Sequence, residues 1–71
     1  TGSFLVEGDW QTDLPVELTI LDLNGRRVFF KQVMQPVPNQ RIELETELSS
    51  GMYLLQTTQG SEQILQRLVI Y

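Results

Sequence analysis

The sequence predicts an all-β sandwich of about six to seven short strands. Its apolar residues recur with a period of two far more often than 3.6. Turn-forming residues interrupt these runs at fairly regular spacing: Gly8-Asp9, Asp13-Leu14-Pro15, Asn24-Gly25, Pro36-Val37-Pro38-Asn39, Ser49-Ser50-Gly51 and Gln59-Gly60-Ser61. Aliphatic, aromatic and Thr residues, which fit a pleated and half-buried surface, fill the segments between.

Residues 3–7 read as a short opening strand. Val16-Glu17-Leu18-Thr19-Ile20 alternates as a half-buried strand requires, because successive side chains point to opposite faces. After Asn24-Gly25 the chain resumes with Val28-Phe29-Phe30 and extends to Val33 and Met34. Arg41-Ile42-Glu43-Leu44-Glu45 puts Ile42 and Leu44 on one face and the glutamates on the other. Residues 52–58 and 63–71 supply two further strands, the last with Ile64, Leu65, Leu68, Val69 and Ile70. The only helical candidate, residues 43–48, is too short and too well alternated to compete.

Length and composition narrow the function. Seventy-one residues make a single domain, residues 1–71. A chain of this size buries only about 60% of the surface its unfolded form exposes. It has neither Cys nor His, so zinc and haem lack their usual ligands, and no cofactor or metal is expected. Five basic residues against nine acidic ones give a net charge of −4. That balance argues against a nucleic-acid partner, since phosphate neutralisation needs clustered Lys and Arg. The same balance disfavours electrostatic docking on anionic lipid. The chain opens on Thr1-Gly2 without Met, and the expectation is a piece excised from a larger secreted protein.

Candidate sites dissolve on inspection. Asp22-x-Asn24-Gly25 resembles part of a calcium loop, but the further oxygen ligands are missing and Arg26 and Arg27 would repel a cation. The segment reads as a type I′ hairpin turn with both Asn24 and Gly25 at positive φ. Glu43, Glu45 and Glu47 read as a solvated strand face that discourages edge pairing. Ser49, Ser50 and Ser61 have no base beside them in sequence, and no nucleophilic triad can be assembled. Trp10 is expected to cover an open end of a small core, with a sugar-stacking platform as the weaker reading.

The last strand departs from the pattern. One face carries Ile64, Gln66, Leu68 and Ile70, the other Leu65, Arg67, Val69 and Tyr71, and both turn apolar towards the end. Such a strand is either central and covered on both sides or has final residues that await a partner.

Together these segments resemble the C-terminal sorting domain of type IX (Por) secretion cargo from Bacteroidetes-type bacteria, in its type A family. "TGSFLV" is similar to the family's opening strand, which usually follows an Asn-Pro pair that would lie just upstream of Thr1. "VELTILDLNGRRV" is similar to its second strand, turn and third strand, with Asn24-Gly25 at the turn. "LSSGMYLLQ" resembles the family's Leu-x-x-Gly-x-Tyr-x-Leu segment, here Leu48, Gly51, Tyr53 and Leu55. "QRLVIY" resembles the closing strand, with Arg67 where Lys is common, although the fixed fork of Arg does not donate as Lys does. The similarity runs over nearly the whole chain and keeps order and spacing.

The resemblance implies a small immunoglobulin-like antiparallel β-sandwich that serves as a non-catalytic address tag. It implies an upstream passenger protein, carried across the inner membrane by another signal and then through the outer-membrane type IX translocon. It also implies a sortase-like peptidase that removes the domain while the passenger is attached at the cell surface. The expected localisation is the periplasm in transit, then the outer-membrane surface or the extracellular space. Translocon recognition is expected at Arg67, Leu68, Val69, Ile70 and Tyr71, with Gly51 and Tyr53 holding the sandwich so that this end is presented. The apolar terminal strand also raises homodimerisation. The competing expectation is an immunoglobulin- or fibronectin-like adhesion module of a secreted protein.

Overall fold

The computed structural model describes residues 2–71, and every regular element among them is a strand. The strands are β1 (Gly2–Glu7), β2 (Val16–Leu21), β3 (Arg27–Val33), β4 (Arg41–Thr46), β5 (Gly51–Gln59) and β6 (Glu62–Ile70). They form a small sheet, β1-β4, and a four-stranded sheet ordered β3-β2-β5-β6, with every pairing antiparallel. The expected sandwich is present with six strands, and its boundaries move by a residue or two from the periodicity.

Alternation sets which side chains meet between the sheets. Val16, Leu18 and Ile20 of β2 face Ile42 and Leu44 of β4, with Val6, Trp10 and Leu55 completing the cluster. Leu18, Ile20 and Leu44 are fully buried. Burial of such a side chain contributes about 1.5–3 kcal/mol over an exposed position. Glu43 and Glu45 lie on the outer side of β4, as the strand pattern requires, while Glu47 falls just past its end.

The β1–β2 connection is held by polar groups. Gln59, buried at the end of β5, accepts from the Gln11 amide at 3.0 Å and donates to the carbonyls of Gln11 and Leu14 at 2.6 and 2.9 Å. Trp10 is buried as expected, and its indole N–H donates to the Gln40 carbonyl at 2.7 Å. These bonds tie residues distant in sequence and fix the loop that leads into β2.

The Asn24-Gly25 turn differs in type from the expectation. Gly25 has φ of 83°, but Asn24 does not adopt positive φ. The Gly25 amide donates to the Asp22 carbonyl at 3.0 Å, closing a tight turn over Leu23 and Asn24, and the Asp22 amide donates to the Arg26 carbonyl at 2.9 Å. Ladder register shifts beside Leu21. This is a type I turn followed by a left-handed Gly25 and a bulge, which has the same handedness benefit as type I′. Asp22 favours it: its carboxylate accepts from the amides of Asn24 and Arg26, each at 2.9 Å, and pairs with the Arg26 guanidinium at 3.1 Å. Those donors, chiefly the Arg26 amide, hold its carboxyl below the ordinary value of 3.8, because hydrogen bonds to the charged form favour it.

Candidate recognition surface

β6 is an edge strand with its outer rim unpaired, which excludes the central, doubly covered position that its apolar faces allowed. A two-residue loop starts it. Gly60, at a φ of 60°, and Ser61 connect Gln59 to Glu62. Glycine at the first central position is what a type II′ hairpin needs. From there β6 pairs with β5 along its whole length, from Gln59↔Glu62 to Gly51↔Ile70.

This register brings together two groups of residues far apart in sequence. Arg67 pairs with Leu54, Leu68 with Tyr53, Val69 with Met52 and Ile70 with Gly51. The Gly51 and Tyr53 segment therefore lies directly beside the terminal residues in the same sheet. Gly51 opens β5 at a φ of 153°. Side chains of L-residues rarely adopt that conformation, whereas glycine reaches it freely. Tyr53 is half-buried, and its hydroxyl donates to the Ser49 carbonyl at 2.8 Å, bracing the entry into β5. Leu55 is in the core, and Leu48 packs against it from the preceding loop. Asn24 and Gly25 sit apart, in the β2–β3 hairpin.

The terminal residues are exposed to different degrees. Leu68 and Ile70 face the small sheet and are partly covered, whereas Arg67 and Val69 point outward and Tyr71 is wholly exposed. Outward-facing Leu54, Leu65 and Met52 join Val69 in an exposed apolar patch, with Arg67 among them. Across the same sheet the Arg27 guanidinium lies 5.1 Å from the Phe30 ring centre, over a second exposed apolar side chain, within reach of a cation–π attraction.

The two long seams between the sheets are unequal. On one, Lys31 of β3 reaches across and donates to the Glu43 carbonyl of β4 at 2.9 Å. Such an inward-reaching lysine protects an edge strand from stray pairing. On the other, between β1 and β6, no hydrogen bond or ion pair crosses among the described residues. A row of cavities follows that open seam, the largest about 490 Å³ and lined by Phe4, Leu5, Leu55 and Leu68 among others. Sequence reasoning missed the seam, Gln59 and the anchoring role of Asp22. The one available signal for the seam was Leu5, an apolar residue in the polar register of β1 between Ser3 and Glu7.

Among the described residues, no group of Asp and Glu is clustered as a metal site would need. Trp10 packs beside the Gln59 end of β5, while Tyr53 lies near the opposite end of that strand. The two aromatics share no platform.

Residues 1–71 match the family model described as the secretion system C-terminal sorting domain. No curated protein and no solved structure matches the chain. Members of this family are non-catalytic signal modules of type IX secretion cargo, which is secreted or displayed at the cell surface and interacts with the secretion machinery. With the match running from Thr1 to Tyr71, the chain belongs to the C-terminal sorting domains of the Por, or type IX, secretion system.

Proposed function

We propose that the domain directs an upstream passenger through the outer-membrane translocon by presenting the end of β6, Arg67 to Tyr71, as its recognition element. The observation that carries this reading is the unpaired rim of β6 combined with apolar side chains exposed on both of its faces. An edge of that kind invites strand pairing, and the only charged residues along β6 are Glu62 and Arg67. Here the invitation suits a transport signal that must be bound and then released. Gly51 and Tyr53 act indirectly, by fixing the β5 end on which Leu68 to Ile70 rest. On this reading a sortase-like peptidase removes the domain after passage from the periplasm, and the passenger stays at the surface or is released outside.

The test is a reporter fused ahead of residues 1–71, expressed in hosts with and without a working type IX translocon. Export only with the translocon, and periplasmic trapping when Leu68 to Tyr71 are deleted, is the expected result. Normal export of the truncated fusion would remove the terminal strand from recognition.

A further inference from the structure

The open seam has a direction. β1 and β6 run antiparallel beside it: Glu7 and Ile64 border one end, Phe4 and Leu68 the middle, Ser3 and Ile70 the other. The first end is acidic, with Glu7, Asp9 and Glu62 at the cavity rim. Glu7 is engaged by Arg41 at 2.7 Å, whereas Asp9 and Glu62 have no ion-pair partner among the described residues. The middle and far end are mostly apolar, lined by Phe4, Leu68, Ile70 and Tyr71. The small sheet has two strands against four, so the inner face of β6 is left partly bare, with Ile64 exposed.

We propose that the free edge of β1 accepts an extended segment of a partner protein as a third strand of the small sheet, antiparallel to β1, bearing Lys or Arg near its N-terminal end and alternating apolar residues after it. This rests on the sorting role above but not on pairing at the rim of β6, and it specifies the chemistry of a partner segment bound at β1. A strand added there lies over Ile64 and Leu68 and covers them, while its unpaired backbone groups are satisfied by β1. A strand added to the outer rim of β6 would only widen the larger sheet and leave those residues bare. Antiparallel pairing is the more stable arrangement per residue. It sends the incoming strand from the Asp9 and Glu62 end towards the Phe4 and Leu68 end, so its cations come first. Inward side chains at alternate positions then enter the cavity beside Phe4, Leu55 and Leu68. Leu5, exposed on the outer side of β1, gains an apolar neighbour across the new ladder.

Probe peptides of about nine residues, long enough to span β1 at ~3.3 Å per residue, test the direction. One carries a pair of lysines followed by alternating threonine and isoleucine, and the other has the same residues in reverse order. Binding to the isotopically labelled 71-residue chain is followed by amide hydrogen exchange and chemical shifts. The lysine-first peptide is expected to bind about tenfold more tightly, a difference of about 1.4 kcal/mol. It should protect amides of β1, and weaken as salt rises. Replacing both exposed carboxylates, Asp9→Lys with Glu62→Lys, should erase the preference without unfolding the chain. Equal affinity for the two orders, tighter binding of the reversed peptide, no binding of either, or protection along β6 in place of β1 would each overturn the proposal. Protection of β1 that rises with protein concentration alone would assign the seam to a second copy and also overturn it.

The reporter fusion separates this mode from the sorting role. If the Asp9→Lys and Glu62→Lys fusion is exported normally while translocon dependence persists, strand addition at β1 fails and the sorting role stands. If export never depends on the translocon, the sorting role fails whatever the peptides do.

Discussion

Thr57 and Ile64 stand opposite each other across the β5–β6 ladder with their burial inverted: the threonine is 6% exposed and the isoleucine 55%. Both point to the inner side of the larger sheet. The small sheet covers β5 and stops, so the polar residue is sheltered and the apolar one is bare. Core burial gives no reason for isoleucine at such a position, although its β-branched side chain suits a strand.

Stability should therefore be insensitive to the side chain at Ile64 and sensitive to β2. Ile64→Thr is expected to change unfolding free energy by no more than about 0.5 kcal/mol, as for other surface substitutions. Leu18→Ala should cost about 2–5 kcal/mol, the usual range for a filled core position. Urea titrations of the two variants check this. Comparable losses would mean that β6 is covered in solution.

Gly8 and Trp10 form a tight contact. A Cβ at residue 8 would fall 2.6 Å from the indole ring, inside any permitted approach. Gly8→Ala should displace the ring and stretch its bond to the Gln40 carbonyl. The expected cost is about 1–3 kcal/mol, as for other overpacked sites. Red-shifted Trp10 fluorescence and a lower urea midpoint are the readouts, and Trp10 is the chain's only tryptophan.

Gln59 is the polar counterpart of that contact. Gln59→Leu keeps much of the volume but leaves the Gln11 amide and the Gln11 and Leu14 carbonyls without their partner. A loss of about 0.5–1.5 kcal/mol is expected, the usual net worth of a hydrogen bond, because these groups are only part-buried and water can reach them. Amide exchange should quicken at Gln11 before it does in the core strands.

Asp22 gives the β2–β3 hairpin a pH dependence of known sign. Its folded pKa is lowered, chiefly by the Arg26 amide, from the ordinary value of 3.8. The stability it contributes is therefore fully present above that value and fades as pH falls through the lower folded one. Asp22→Asn should lower the denaturation midpoint near neutral pH, and its difference from the parent should close in strong acid. A difference that stays constant with pH would contradict the assignment.

These outcomes bear on what the sequence could disclose. Ile42 and Leu44 were legible because one face of β4 is wet and the other dry, so alternation reports burial directly. β6 was ambiguous because apolar residues on both faces are what a covered central strand and an uncovered recognition strand share. Asn24-Gly25 located the hairpin but not its geometry, since Asp22 captures two amides and draws the chain into a type I turn. Gln59 gave no signal, because a glutamine beside Gly60 reads as part of a wet turn. Its burial depends on the β1–β2 loop folding back over it. The resemblance links Gly51 and Tyr53 to the terminal strand, and the register sets them beside it, with Ile70 against Gly51 and Leu68 against Tyr53.

The most direct measurement is the distribution of a fused reporter when Val69 and Tyr71, both exposed, are replaced by serine in a host with a working translocon. Circular dichroism and urea titration of the isolated variant show whether the sandwich is intact. The account predicts an intact fold with at least about a tenfold drop in exported reporter, equivalent to about 1.4 kcal/mol of lost recognition, and accumulation in the periplasm. Undiminished export from the folded variant would contradict the claim that the end of β6 is what the secretion machinery reads.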